Sequence, residues 1–221
     1  MPRTTVHLVR HGEVHNPDGI LYGRLPGYGL SERGHAMARL VAEAFTSPGS
    51  RPGDGHDVTY VVASPLQRAQ ETAAPLARAL GLEVATDDRL IEADNVLEGR
   101  RLAGAGVREL LDPAILRHLY NPFSPSWGEP FAQQRDRVLA AVAAARRVAE
   151  GHEAVLVSHQ SPIWAVRRAL QGKPLWHDPR SRECSLASVT SLTFDGDRLV
   201  DHTYSEPAAS LLPGASAVPG A

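Results

Sequence analysis

A chain of 221 residues, 43% of them hydrophobic, is long enough to bury the core of one large domain, and one domain is expected rather than two. Its formal net charge of −2 excludes a general attraction to nucleic acid or an anionic membrane, so any affinity for anions must come from a local cluster of arginines. The single cysteine, Cys184, excludes an internal disulfide framework and a Cys-rich zinc site; with no apolar run of membrane-spanning length and no charged-then-apolar leader, a soluble, cytoplasmic protein is expected.

In chain order, Val6, Leu8 and Val9 form a short apolar run that ends in a polar cluster, as a buried strand does when its carboxyl end opens into a site. Residues 14–30 are rich in Gly and Pro and predict a long functional loop. Ser31 has the character of a helix N-cap, with Glu32 in the first turn and Met37, Leu40, Val41 and Phe45 as the apolar stripe that follows. Residues 46–57 predict a surface connection. Tyr60 to Ala63 is a second apolar run, and Ser64-Pro65 predicts a helix start, a capping hydroxyl followed by proline at the first helical position. Gly81 should end that helix. After an extended stretch from Leu82 to Thr86, the region from Asp87 to Pro130 gives mixed signals. Phe131 to Val148 predicts a helix with Gly151 as terminator, Ala154 to Val157 a strand, and Pro162 to Leu170 a helix. Val189 to Phe194 and Leu199 to Tyr204, joined through Asp195-Gly196-Asp197, predict a hairpin. Strands alternating with helices predict an α/β layer structure with a largely parallel sheet, in one domain over residues 1–204, followed by a mobile tail over 205–221.

Three strands end in the same fashion: Val9 into Arg10-His11-Gly12-Glu13, Ala63 into Ser64 and the helix bearing Arg68, and Val157 into Ser158-His159. Anionic ligands collect at the carboxyl ends of strands in an open α/β sheet, so two arginines and two histidines are expected to meet there. A phosphoryl group in transfer carries its charge on three equatorial oxygens, which the planar forks of Arg10 and Arg68 match. For His11 to attack phosphorus, one ring nitrogen must be unprotonated while a backbone acceptor holds the proton on the other, and neighbouring cations help by disfavouring imidazolium. Gly12 lets backbone approach where a side chain would obstruct.

These residues resemble the histidine phosphatase superfamily, also called the phosphoglycerate mutase-like family, across most of the chain. The first block is Arg10-His11-Gly12-Glu13 with Asn16, then Gly23-Arg24, Leu30-Ser31 and Gly34; Ser64-Pro65-Leu66-Gln67-Arg68-Ala69 with Glu71-Thr72-Ala73 is similar to the second, and Val157-Ser158-His159 to the last. The resemblance implies a three-layer α/β/α sandwich with a mostly parallel central sheet. It also implies His11 as phosphate acceptor, with Arg10, Arg68 and His159 on the phosphoryl oxygens and Asn16 as a further donor. Gly23 and Arg24 would belong to the phosphate- and substrate-binding set. Glu92, in Asp88-Arg89-Leu90-Ile91-Glu92, matches the family position that protonates the leaving oxygen. No metal and no organic cofactor are implied.

Two departures matter. Gln160-Ser161-Pro162 stands where many members have Gly-Gly, which bears on pocket shape. Ala93-Asp94-Asn95 stands where phosphoglycerate mutases carry Arg-His-Tyr, and loss of that basic cluster favours hydrolysis over mutase chemistry. The expected activity is therefore hydrolysis of small phosphomonoesters through phosphohistidine, with leaving-group contacts from residues 14–30 and 93–130. Its rivals are phosphoglycerate mutase-type transfer and a non-catalytic phosphate-binding regulatory module. The expected partner is a small phosphorylated substrate; no oligomeric state follows, a homodimer being one option. Bland alternatives exist residue by residue: Arg68 as a solvated helix residue, His159 as a helix cap, Glu13, Asp94 or Glu98 in place of Glu92, and His15 and Tyr22 as exposed loop residues instead of the pocket mouth. His7 points away from the face of Leu8 and is given no role. The remaining histidines, His35, His56, His118, His152, His177 and His202, lack the spacing of a metal site.

Overall fold

Side-chain alternation along short apolar strands sets up the architecture. On the first strand, Val6 and Leu8 point into one apolar layer and Val9 into the other; on its parallel neighbour Ala154 and Leu156 alternate likewise with Val155 and Val157. A strand apolar on both faces must be covered on both, and helices do so here.

The computed structural model describes residues 2–47, 55–101, 128–178 and 181–215. Its sheet has six strands: β1 (Arg3–Arg10), β2 (Val58–Ala63), β3 (Val84–Thr86), β4 (Glu153–Ser158), β5 (Val189–Asp195) and β6 (Arg198–Ser205), in the order β3-β2-β4-β1-β5-β6. The first four are mutually parallel, and the hairpin β5–β6 adds an antiparallel edge beside β1. Helices α1 (Glu32–Thr46) and α2 (Gln67–Leu80) pack on one face through Met37, Val41, Phe45, Ala73 and Leu76. Helices α3 (Phe131–Val148) and α4 (Gln160–Leu170) cover the other through Val138, Val142, Ile163 and Val166. The result is the expected three-layer α/β/α sandwich. No helix among the described residues is long and apolar enough to cross a membrane.

Several local expectations hold. The Ser31 hydroxyl accepts from the Gly34 N–H at 3.0 Å and caps α1. The hairpin turns through Gly196 at φ 58°, the left-handed geometry a tight hairpin turn demands.

Others are corrected. Helix α2 starts at Gln67, with Leu66 at the cap position and no side-chain cap, so Ser64 is not its N-cap. The Ser64 hydroxyl instead bonds His159 Nε2 at 2.8 Å; a buried imidazole competes successfully for it. Helix α4 starts two residues earlier than expected, which Pro162 permits because an N–H in the first turn would have no intrahelical partner. The segment after β6 is not a loose tail in its described part: Ala208 is buried, and Leu211, Leu212 and Ala215 pack against the α1–α2 layer. Few but well-placed apolar residues suffice to dock it. The expected surface connection at 46–57, the mixed region through 102–127, His118 and the last residues of the tail fall wholly or partly outside the described residues.

Candidate active site

The carboxyl ends of β1, β2 and β4 are stitched together by backbone bonds beyond the strands themselves. The His11 N–H donates to Ser158 O at 3.1 Å, the Ser64 N–H to Val157 O at 2.9 Å and the Arg10 N–H to Ser188 O at 3.0 Å. The three polar motifs of the sequence are thereby brought to one edge of the sheet, and Arg10, His11, Arg68 and His159 are all buried there.

His11 is fully buried, and its Nδ1–H donates to the carbonyl of Gly12 at 2.8 Å. A carbonyl only accepts, so the proton sits on Nδ1 and the neutral ring presents a lone pair on Nε2. No hydrogen-bond partner for Nε2 is present among the described residues. Burial, then the charges of Arg68 and Arg10, hold the imidazole pKa well below its ordinary value, overriding the opposing Gly12 bond. The ring is thus a neutral nucleophile. His159, 5.1 Å away between ring centroids, is likewise kept neutral, by burial first and then by Arg68. Its Nε2 bonds Ser64 Oγ while its Nδ1 lacks a partner among the described residues. It sits at the N-cap position of α4 but makes no side-chain capping bond, so the capping alternative falls away.

Each arginine donates to a backbone carbonyl. Arg68 Nη2 donates to Gly23 O at 2.6 Å, and its guanidinium lies 4.7 Å over the Tyr22 ring. Arg10 Nη1 donates to Cys184 O at 2.6 Å. That carbonyl belongs to a tight turn, residues 184–188, whose Ala187 takes φ 56°, the one left-handed non-glycine among the described residues. Such a conformation costs about 1 kcal/mol for alanine. Here the Ala187 N–H donates to His11 O and Ser188 O receives the Arg10 N–H. The strained turn therefore fixes both halves of the Arg10-His11 pair, and nothing in the sequence pattern announced it.

Glu92 is 4% exposed, its Oε1 accepting from the Ala93 N–H at 2.7 Å. Its irregular segment is pinned at three carbonyls: Arg89 O by Arg137 Nη1 at 2.7 Å, Leu90 O by Ser158 Oγ at 2.7 Å, and Glu92 O by Arg24 Nε at 2.8 Å. Arg24 also reaches Glu129 Oε2 at 3.2 Å. It braces the chain that carries Glu92, while Gly23 acts through its carbonyl on Arg68. Asn16 bonds the backbone of Ile20 through both ends of its amide and closes the loop after the first block; its second Nδ2 proton is not used in these bonds. Among the alternative carboxylates, Glu13 accepts from Ser31 Oγ at 2.5 Å and Glu98 Oε1 from the Arg24 N–H.

A cleft is lined by Gly23, whose carbonyl holds Arg68, and by Glu92, Asp94, Gln134, Ser161 and Arg182. Ser161 belongs to the Gln160-Ser161-Pro162 departure expected to bear on pocket shape, and it does line the cleft; Gln134 and Arg182 were not singled out in the sequence and lie on a helix and a loop with no motif to mark them. Tyr22 is buried, and burial pushes its phenol up to about 12, so it is an uncharged wall against Arg68 and not an exposed loop residue. His15 is exposed. Thr72 links the first two blocks: its hydroxyl accepts from the Gly12 N–H at 3.1 Å and donates to Arg68 O at 2.7 Å.

Close backbone contact explains two glycines. A Cβ on Gly12 would lie 2.7 Å from Gly34 O, and one on Gly34 would lie 2.0 Å from Glu13 O. Glycine to alanine within a helix normally stabilises by about 1 kcal/mol. For Gly34→Ala the sign should reverse, with a loss of about 1–3 kcal/mol from overpacking, measurable as a lower denaturant midpoint.

A neutral buried imidazole with a lone pair on Nε2, two guanidinium groups beside it and a buried carboxyl at the adjoining cleft is the arrangement of an α/β protein that handles phosphoryl groups. The comparisons agree. The chain belongs to the histidine phosphatase superfamily (branch 1), whose sequence profile matches residues 6–206. An uncharacterized protein of Mycobacterium tuberculosis (strain H37Rv) is 57% identical over 210 residues, covering 95% of this chain and 100% of its own. A probable phosphoglycerate mutase of Salmonella paratyphi C is 31% identical over 191 residues, 83% of each chain. Among solved structures, a mycobacterial glucosyl-3-phosphoglycerate phosphatase is similar with a TM-score of 0.65 and 26% identity, over 91% of this chain and 97% of that one.

Proposed function

We propose that the protein is a phosphomonoesterase that hydrolyses small organic phosphates through a phosphohistidine on His11. The observation that carries this reading is the His11 ring itself, neutral, with Nδ1 tied to Gly12 and Nε2 unpartnered between Arg10 and Arg68. In the first step Nε2 attacks phosphorus in line and the P–O bond to the leaving group breaks. Arg10, Arg68, His159 and the second Nδ2 proton of Asn16 receive the equatorial oxygens, and Glu92 delivers a proton to the departing oxygen. In the second step the same carboxylate takes a proton from water as it attacks the phosphohistidine, releasing inorganic phosphate and restoring His11.

Two kinds of relative mark the competing outcomes, since the Salmonella protein is called a probable mutase and the mycobacterial structure a phosphatase. Asp94 and Asn95 line the cleft next to Glu92. A segment of that charge suits neither a second acidic group on the substrate nor a phosphoenzyme held for return to product. Hydrolysis is the outcome this chemistry favours. The purified chain should release phosphate from an aryl phosphate with chelator present and be inhibited by vanadate, and a panel of phosphomonoesters should give phosphate in place of isomerised ester. Loss of activity with chelator, or isomerisation without phosphate release, would refute the proposal.

A further inference from the structure

At the opposite end of β1 from the nucleophile, three side chains far apart in sequence meet. His7 projects from β1 toward α1, Glu153 opens β4, and His56 lies just before β2. Glu153 Oε2 stands 3.1 Å from His7 Nε2 and 2.7 Å from His56 Nδ1, and the three atoms lie within 4.8 Å of one another. The two rings are 5.4 Å apart between centroids and steeply inclined, with Phe45 packed against both. Four residues of extended strand, about 13 Å, separate His7 from His11, so this cluster takes no part in phosphoryl chemistry.

We propose that His7, His56 and Glu153 form a site for a divalent transition-metal ion of the zinc type, one that ties β1, β4 and the approach to β2 together. Two imidazoles and one carboxylate are a donor set of the kind that zinc takes, whereas hard cations such as magnesium prefer oxygen ligands. Zinc–nitrogen and zinc–oxygen bonds of 2.0–2.1 Å place neighbouring tetrahedral ligands about 3.3 Å apart. Two such edges stand near that length at 3.1 and 2.7 Å, and all three atoms lie within 4.8 Å of one another, so an ion needs to displace the protons between these atoms and adjust the ligands by small side-chain shifts.

The surroundings suit the same purpose. His7 Nδ1 is 2.8 Å from Ser191 Oγ, a hydroxyl that can accept its proton and so leave the Nε2 lone pair for a metal, the outer-shell arrangement usual for ligating histidines. Burial lowers the His7 pKa; burial opposes the Glu153 carboxylate too, but hydrogen bonds from His56 and His7 hold it at about 2. An ion at this point replaces the proton shared between His56 Nδ1 and Glu153 Oε2. With 37% of its side chain exposed, His56 provides the entry route and a side on which water can complete the coordination.

The test uses the full chain, stripped with chelator, dialysed, and titrated with Zn²⁺ alone against a competing chromophoric chelator. One equivalent should bind saturably to the wild type. His56→Ala, at a partly exposed position outside the sheet, should fold normally by circular dichroism and bind more than about 100-fold more weakly, as should Glu153→Gln. Ser191→Ala should lose roughly 10- to 100-fold, the range for an outer-shell partner. Excess Zn²⁺ should raise the melting temperature of the wild type but not of His56→Ala, and aryl phosphatase activity should be equal in the two. Absence of saturable binding to the wild type would overturn the site, and so would His56→Ala and Glu153→Gln binding Zn²⁺ as tightly as the wild type. Neither readout depends on catalysis.

Discussion

Replacing His11 by alanine is expected to reduce phosphate release from an aryl phosphate by a factor on the order of 10⁴ or more, about 5 kcal/mol or more of transition-state stabilisation. The size follows from covalent catalysis. Without Nε2 there is no group to which the phosphoryl unit can be transferred, and the arginines can only hold an ester for slow attack by water. The arginines and His159 remain in the variant, so phosphate or vanadate should still bind, and binding together with turnover separates loss of chemistry from loss of the pocket. In the wild type, brief exposure to substrate followed by alkaline quenching should trap phosphohistidine at residue 11. A variant that keeps even a hundredth of wild-type turnover, or label recovered on another residue, would refute the nucleophile assignment.

The reason His11 can serve illustrates what the sequence shows and what it hides. Arg10-His11-Gly12, Arg68 and His159 are marked by their places at the ends of apolar runs, and the structure brings them to one edge of the sheet. Strand alternation also assigned His7 correctly to the face opposite Leu8. The supports of the site were not legible. The Ala187 turn that holds Arg10 and His11 comes from a segment of small residues with no signature, and its strain exists only because the rest of the fold imposes it. Arg24 carried a motif, but a motif specifies a residue and not its hydrogen bonds, and in the structure its Nε and Nη2 brace the Glu92 segment. Ser64 shows the same limit: its sequence context is that of a cap, yet His159, just past the end of β4, takes its hydroxyl. Tertiary partners decide such cases, and sequence spacing does not record them. The His7, His56 and Glu153 cluster is an extreme instance, because no spacing rule links residues on β1, before β2 and on β4.

Glu92→Gln provides the second large effect, and its dependence on the leaving group is the informative part. An alkoxide is a poor leaving group and needs a proton as the P–O bond breaks, so on alkyl phosphates the variant should lose about 10²- to 10⁴-fold. A nitrophenolate leaves without that help, and formation of the phosphohistidine should then be nearly as fast as in the wild type. Hydrolysis of the phosphohistidine still needs a base for water, so with the nitrophenyl ester the variant should show a burst of one equivalent of nitrophenol followed by slow turnover. The amide is nearly isosteric with the carboxyl, and the carbonyl bonds from Arg24, Ser158 and Arg137 to this segment do not involve the Glu92 side chain, so geometry should persist. Glu98 and Glu13 are already engaged with Arg24 N–H and Ser31 Oγ, which leaves Glu92 as a buried carboxyl that lines the cleft and lies close enough to Arg68 to favour its charge. Equal losses on nitrophenyl and alkyl esters, with no burst, would mean that Glu92 shapes the pocket without moving a proton. The acid would then have to be sought elsewhere in the cleft, with Asp94 the next carboxylate along the chain.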